Sequence, residues 1–307
     1  MTNVMKNQPF NIMVFGEILA DIFPDKTVLG GAPYNIARHL HAFNAHPLLI
    51  SRVGNDPLKI NLFEALAKLN MDCSGIQVDA VYPTGQVIVH MENDSHRFEI
   101  RSDQAYDFID SGAAQDAIQS TSPDLAYFGS LAQRKHVSRL ALTTCFNAVS
   151  CPIFLDLNLR SPWYDQHVIQ HSLMHANYAK LNEDELTIVS DLLSIPKDMG
   201  VVERAARIIE QFDLKCLFVT CGQNGAWVLS DTGKIKEVKG QPLPSKLLDT
   251  VGAGDAFSAI CMIGLLQDWP MDTILIRATN FASALCCIRG ATPETNDFYL
   301  PFMIEWL

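Results

Sequence analysis

Leu248-Asp249-Thr250-Val251-Gly252-Ala253-Gly254-Asp255-Ala256-Phe257 sets two glycines just ahead of a carboxylate, at the start of an apolar run that continues to Leu266. Glycines there let the backbone turn tightly and approach a ligand closely. A helix that begins at the same place points unpaired N–H groups and the positive end of its dipole toward that ligand. The segment reads as an anion site with a base, Asp255, inside it. Alone, an acid at a helix start is equally well an N-terminal charge or cap.

The rest of the chain bounds what that site can serve. Its 307 residues are 48% hydrophobic and 19% charged, ordinary globular composition with enough length for one large α/β domain or two small ones. A net charge of -11 argues against nucleic acid or an anionic membrane as the main partner, since both require a basic field. Eight cysteines without a C-x-x-C pair read as reduced thiols, and Met1 to Phe10 lacks the apolar core of a secretory signal. The run Ala256 to Leu266 is too short to span a bilayer. A soluble cytoplasmic protein is expected.

Asn11 to Gly16, Pro152 to Asp156 and Cys216 to Thr220 are short apolar runs of the kind buried strands show, and Leu62 to Leu69 and Val201 to Phe212 read as helices between them. Such alternation predicts a mostly parallel sheet covered on both faces, with sites at the carboxyl ends of its strands. One region departs from it. Gly85 to Glu92 and Ser95 to Ile100, joined by Asn93-Asp94, alternate like an antiparallel hairpin. No linker rich in Pro, Gly or Ser divides the chain.

Further segments carry polar groups at strand ends. Gly16-Glu17-Ile18-Leu19-Ala20-Asp21 and Leu29-Gly30-Gly31-Ala32-Pro33-Tyr34-Asn35 combine a carboxylate, glycines and an amide, which suits the paired hydrogen bonds of a polyol, although each alone is more simply a turn with a cap. Asp156-Leu157-Asn158-Leu159-Arg160 alternates polar side chains, which a period of two would set on one side of an extended chain. Asn182-Glu183-Asp184-Glu185 follows the strand-like Tyr178 to Leu181, and Thr220-Cys221-Gly222-Gln223-Asn224-Gly225 follows another strand. His167, His171 and His175 recur every four residues, a spacing that can present imidazoles to a metal, but they lack an evident fourth ligand and read as lining a wet helix face.

Together these motifs, in this order, resemble the ribokinase-like (PfkB) family of carbohydrate kinases from about Gly16 to Pro293, most closely its fructokinase-like members. The resemblance implies one domain over residues 1–307: a ribokinase-like three-layer sandwich, α/β, with a mostly parallel central sheet flanked by helices. It also implies a small β-sheet lid from about 22–30 and 83–103, which closes over the sugar and often pairs two subunits in a homodimer. It assigns Asp255 as the base and Gly252, Ala253 and Gly254 as the anion hole. A base of ordinary low pKa is expected to suffice, because proton transfer comes late in a loose transition state. It implies Asp21, Gly31, Asn35, Arg101, Asn158 and Arg160 as sugar contacts, and Asn182, Thr220, Gly222, Gly225 and Asn280 on the ATP side. It implies magnesium held through water by Glu185, and a monovalent cation such as K+ at Asp249.

The resemblance also marks departures. Pro57-Leu58-Lys59 replaces the bulky residue and glycine that usually follow Ser51 to Asp56, leaving the loop after Asp56 unassigned and Arg52 structural. Ala105-Tyr106-Asp107 replaces a commoner small-residue pattern beside Arg101, where a solvated arginine is the simpler reading. The implied activity is ATP-dependent phosphorylation of a sugar's primary hydroxyl, fructose foremost, with 2-keto-3-deoxygluconate, another sugar or a nucleoside as alternatives. A non-catalytic sugar- or nucleotide-binding regulator is the reading from another class. A dinucleotide-dependent oxidoreductase is weaker, because Phe257 stands where the third glycine of that fingerprint belongs.

Overall fold

A computed structural model describes residues 9–92, 95–241, 243 and 245–307. In chain order the elements are β1 (Asn11–Phe15), β2 (Leu19–Ile22), β3 (Thr27–Gly30), α1 (Ala32–Ala42), β4 (His46–Gly54), α2 (Pro57–Lys68), β5 (Ile76–Asp79), β6 (Gly85–Glu92) and β7 (Ser95–Ile100). There follow α3 (Ser111–Gln119), β8 (Leu125–Phe128), α4 (His136–Ala148), β9 (Ile153–Asp156), α5 (Gln166–His175), β10 (Tyr178–Asn182), α6 (Glu183–Leu192) and α7 (Val201–Phe212). The last are β11 (Cys216–Thr220), β12 (Gly225–Ser230), β13 (Ile235–Lys239), α8 (Ala253–Leu266), α9 (Met271–Leu285) and α10 (Leu300–Trp306).

Nine strands form the main sheet in the order β13-β12-β11-β10-β9-β8-β1-β4-β5, parallel from β11 to β5, with β12 and β13 antiparallel at one edge. Strands apolar on both faces need cover on both. Along β1, Met13 and Phe15 enter a core built with α3 to α7, while Ile12 and Val14 enter a second built with α1, α2, α8, α9 and α10. In β11, Leu217 and Val219 go to the first core, Cys216 and Phe218 to the second. The result is a three-layer α/β/α sandwich. Helix α8 is buried at every residue from Asp255 to Gly264, as a helix apolar all round must be.

A second, four-stranded sheet has the order β3-β2-β6-β7, with β2 parallel to β6 and the outer pairs antiparallel. The hairpin of β6 and β7 matches the alternation in sequence, and its Asn93-Asp94 turn lies outside the described residues. This sheet begins at Leu19, earlier than the expected 22, because Leu19 to Ile22 pair on both sides and so form a strand rather than a turn. Asp21 therefore sits within β2.

The segment left unassigned after Asp56 is a helix start. The Asp56 carboxylate accepts the Lys59 amide at 3.2 Å and Pro57 takes the first turn, where its missing N–H costs nothing. Arg52 is structural, bridging Asp79 at 2.8 Å and donating to the Phe108 carbonyl at 2.8 Å. Among the described residues no helix is long and apolar enough to cross a membrane, and all eight cysteines are free thiols. The strand order turns back between β8 and β1, and the carboxyl ends of β1, β8, β9, β10 and β11 open on the same edge. An open parallel sheet leaves its crevice at such a reversal.

Candidate active site

Gly252 caps α8 with φ 81°, a left-handed conformation, and a Cβ on it would lie 2.6 Å from Ala291. Both facts require glycine. The Ala253 amide reaches back to the Thr250 carbonyl at 3.3 Å, so among the described residues the amides of Gly252, Gly254 and Asp255 have no acceptor. Three unpaired donors at a helix start form an anion cradle.

Asp255 stands in the first turn of α8 and is 8% exposed. Asn35 Nδ2 donates to its Oδ2 at 2.8 Å, while Asn35 Oδ1 is buried without a partner. Asn35 lies inside α1, one turn past its cap rather than ahead of the helix, and its amide bonds Gly31 O at 2.9 Å. Gly31 has φ 106°, and a Cβ there would lie 2.6 Å from the Glu17 carbonyl. Burial pushes the Asp255 carboxyl up to about 7. The Asn35 bond, Lys180 and Arg160 pull it down, and Asp156 pushes it up. The ordinary low pKa expected from sequence is thereby corrected: a carboxyl this buried titrates near neutrality.

Behind the anion turn, Asp156 of the polar alternation is paired with a lysine to which the motifs gave no role. Lys180 Nζ bonds both oxygens of Asp156, at 3.0 and 3.2 Å, and Ser258 Oγ donates to Asp156 Oδ2 at 2.8 Å. Gly254 leaves room for that ammonium, since a Cβ there would stand 3.1 Å from Lys180 Nζ. Burial works against the charge on Lys180, but Asp156 and Glu185 more than offset it, so its pKa rises. Asn182 and Glu185 form a reciprocal cap on α6, each side chain accepting the other's amide at 2.8 Å, and Glu185 also accepts the Leu159 amide at 2.8 Å. Each Glu185 oxygen then keeps a lone pair, which suits a cation held through water.

Three further ionisable groups, Glu17, Asp21 and Arg160, interact electrostatically. Burial raises Glu17 to about 7 and Asp21 to about 6, and the exposed Arg160 lowers both. The polar alternation over Asp156, Asn158 and Arg160 does not persist as an extended edge, because β9 ends at Asp156 and Asn158 turns left-handed at φ 43°. Asp156 goes inward and Arg160 outward as a consequence. Arg101 is 55% exposed in its side chain and pairs with Glu99 at 3.3 Å, so it joins none of the bonds around Asp255 among the described residues.

Thr220 ends β11 beside Asn182, its register partner, and Gly222 and Gly225 make the turn into β12 with φ 54° and 104°. Asn280 lies on the exposed face of α9. Asp249 accepts the amides of Val251 and Gly290, each at 3.0 Å, which ties the loop into the anion turn to the segment after α9 and leaves lone pairs for a cation.

The family model for pfkB carbohydrate kinases matches residues 13–297. The chain belongs to that family. A fructokinase from Klebsiella pneumoniae is 28% identical over 303 residues, covering 92% of this chain and 92% of that one. An uncharacterized sugar kinase from Pyrococcus horikoshii, solved in complex with ATP, superposes with TM-score 0.78 at 26% identity, covering 94% and 97% of the two chains. A fructokinase from Vibrio cholerae O395, solved with fructose, ADP and calcium, has the same fold at TM-score 0.77 and 23% identity, covering 95% and 98%.

For a pfkB-family kinase, the informative residues that motif reading passed over are Glu17, Lys180 and Ser258. Lys180 carried a signal, since a lysine inside a buried strand is almost always paired. Ser258 carried none, for a serine in an apolar helix has many innocuous roles.

Proposed function

We propose that this protein transfers the γ-phosphoryl group of ATP to the primary hydroxyl of a sugar, with fructose to fructose 6-phosphate as the preferred reaction. One observation carries the reading: the Asn35 amide, from the glycine turn suited to a polyol, holds the carboxylate of Asp255, which lies in the turn suited to phosphate. An acceptor and a donor that meet there are joined at one oxygen. Asp255 takes the hydroxyl proton, and its pKa of about 7 suits a base working near neutral pH. The Gly252, Gly254 and Asp255 amides face charge developing on the phosphoryl oxygens.

Asp21, Gly31, Asn35, Asn158 and Arg160 would face the sugar; Asn182, Thr220, Gly222 and Gly225 would line the nucleotide side. Magnesium at Glu185, when bound, would neutralise the ATP phosphates, and a monovalent cation at Asp249 would steady the turn. Among the described residues no contact draws Arg101 or Asn280 into the site. The small sheet would serve as the lid that keeps water from the phosphoryl group.

The test is ADP release from Mg-ATP across fructose, ribose, 2-keto-3-deoxygluconate and adenosine, with Asp255→Asn as control. Turnover greatest with fructose and lost in the variant supports the reading. Turnover with another acceptor replaces the substrate, and nucleotide binding without turnover favours the regulator.

A further inference from the structure

The histidine stripe of α5 does not stand on a bare face. It forms one wall of a groove of about 180 Å³ whose other wall is α4, lined by His136, Arg139, Leu140, Thr143, His167 and His171. In a chain of net charge -11, four of those six side chains can carry a positive charge and none is an aspartate or glutamate. Arg139 is half-buried and has no carboxylate partner among the described residues. Nor do the described residues contain a cluster of histidine, cysteine and acid able to hold a metal. The groove is arranged for an anion rather than a cation.

Hydrogen bonding at its floor supports this. Gln133 Nε2 donates to Gly129 O at 3.0 Å and to Ser172 Oγ at 2.8 Å, which leaves Gln133 Oε1 to accept from His171 Nδ1 at 3.0 Å. His171 Nε2 meets the Thr143 hydroxyl at 3.2 Å, and that hydroxyl also lies 3.0 Å from Arg139 O. A neutral His171 accepts from Thr143. A protonated one donates to Thr143, whose own proton then turns to Arg139 O, so both states find partners. Burial holds His171 down to about 4, and the positive groups facing it, His175, Arg139 and His167, push the same way. His136 faces the groove from α4. An anion among them offsets the repulsion that adds to burial in keeping His171 neutral.

We propose that the groove between α4 and α5 binds a small oxyanion of the phosphate or phosphate-monoester class, separately from the catalytic centre, with Arg139 as its main charge and the exposed His167 as a donor. A bidentate guanidinium suits such a ligand.

The test follows the histidine ring signals by NMR while inorganic phosphate is added to the full chain, with Mg-ADP saturating the nucleotide side. Saturable shifts of His167 and His171 are expected. Arg139→Ala should weaken binding about tenfold, as loss of a charge-assisted hydrogen bond does, and the exposed His167→Ala should weaken it less. Shifts that survive Arg139→Ala unchanged would overturn the proposal, as would the absence of saturable shifts. Either failure leaves the kinase reading intact, since that is read from turnover.

Discussion

At the scale of single residues, the site is set by what burial does to carboxyls. Asp255 at about 7 predicts that activity falls as pH drops below about 7, where the base is protonated. Asn35→Ala deletes a bond that lowers this pKa, so the acidic limb should move to higher pH; a limb that stays or moves down in a pH–rate profile contradicts the assignment. Asp255→Asn should reduce kcat by about 10³-fold or more with nucleotide affinity nearly unchanged. Its stability carries a sign. The folded carboxyl titrates near 7 against an unfolded 3.8, so wild type bears the cost of a buried charge above about pH 7 and is free of it below the unfolded value. Asp255→Asn should therefore melt above wild type at pH 8, with the gap closing toward pH 4. Asp255, Asn35 and the glycines were legible in sequence because each occurs in a motif. Glu17 was not, because its importance comes from burial beside other charges, and Lys180 was marked only as a lysine inside a buried strand, with no partner named for it.

Among elements, helix starts do most of the positioning. Gly252→Ala combines a left-handed φ with a collision at Ala291, and should cost roughly 1–3 kcal/mol in denaturant unfolding while lowering activity. Asn182→Ala removes one half of the cap on α6 and should cost about 1 kcal/mol in the same assay; loss of nucleotide affinity beyond that cost would mark a direct role. Strands β1, β9, β10 and β11 were legible because apolar runs between turn signals admit few alternatives. The loop after Asp56 was not, since its helix depends on a cap and a proline in place of the usual pair. The polar alternation after β9 misled because a period of two holds only while the chain stays extended, and Asn158 ends that.

At the scale of the whole molecule, two sheets of different kinds meet at the catalytic edge. The family and its three-layer plan were legible from motif order, whereas the joining of β2 to β6 was not, because a parallel pair between distant segments leaves no local mark. The small sheet bears a hollow lined by Ile22, Phe23, Pro24, Ile88, Val89 and His90. A homodimer through the lid is expected to show in sedimentation equilibrium and to weaken with Val28→Asp on β3; a monomer at every concentration contradicts it. The most direct test of the central claim is ³¹P–¹H NMR of the product formed from fructose and Mg-ATP. Phosphate coupled to the protons on C6, formed by wild type and not by Asp255→Asn, is the predicted result; phosphate at another position, or equal formation by both proteins, would contradict it.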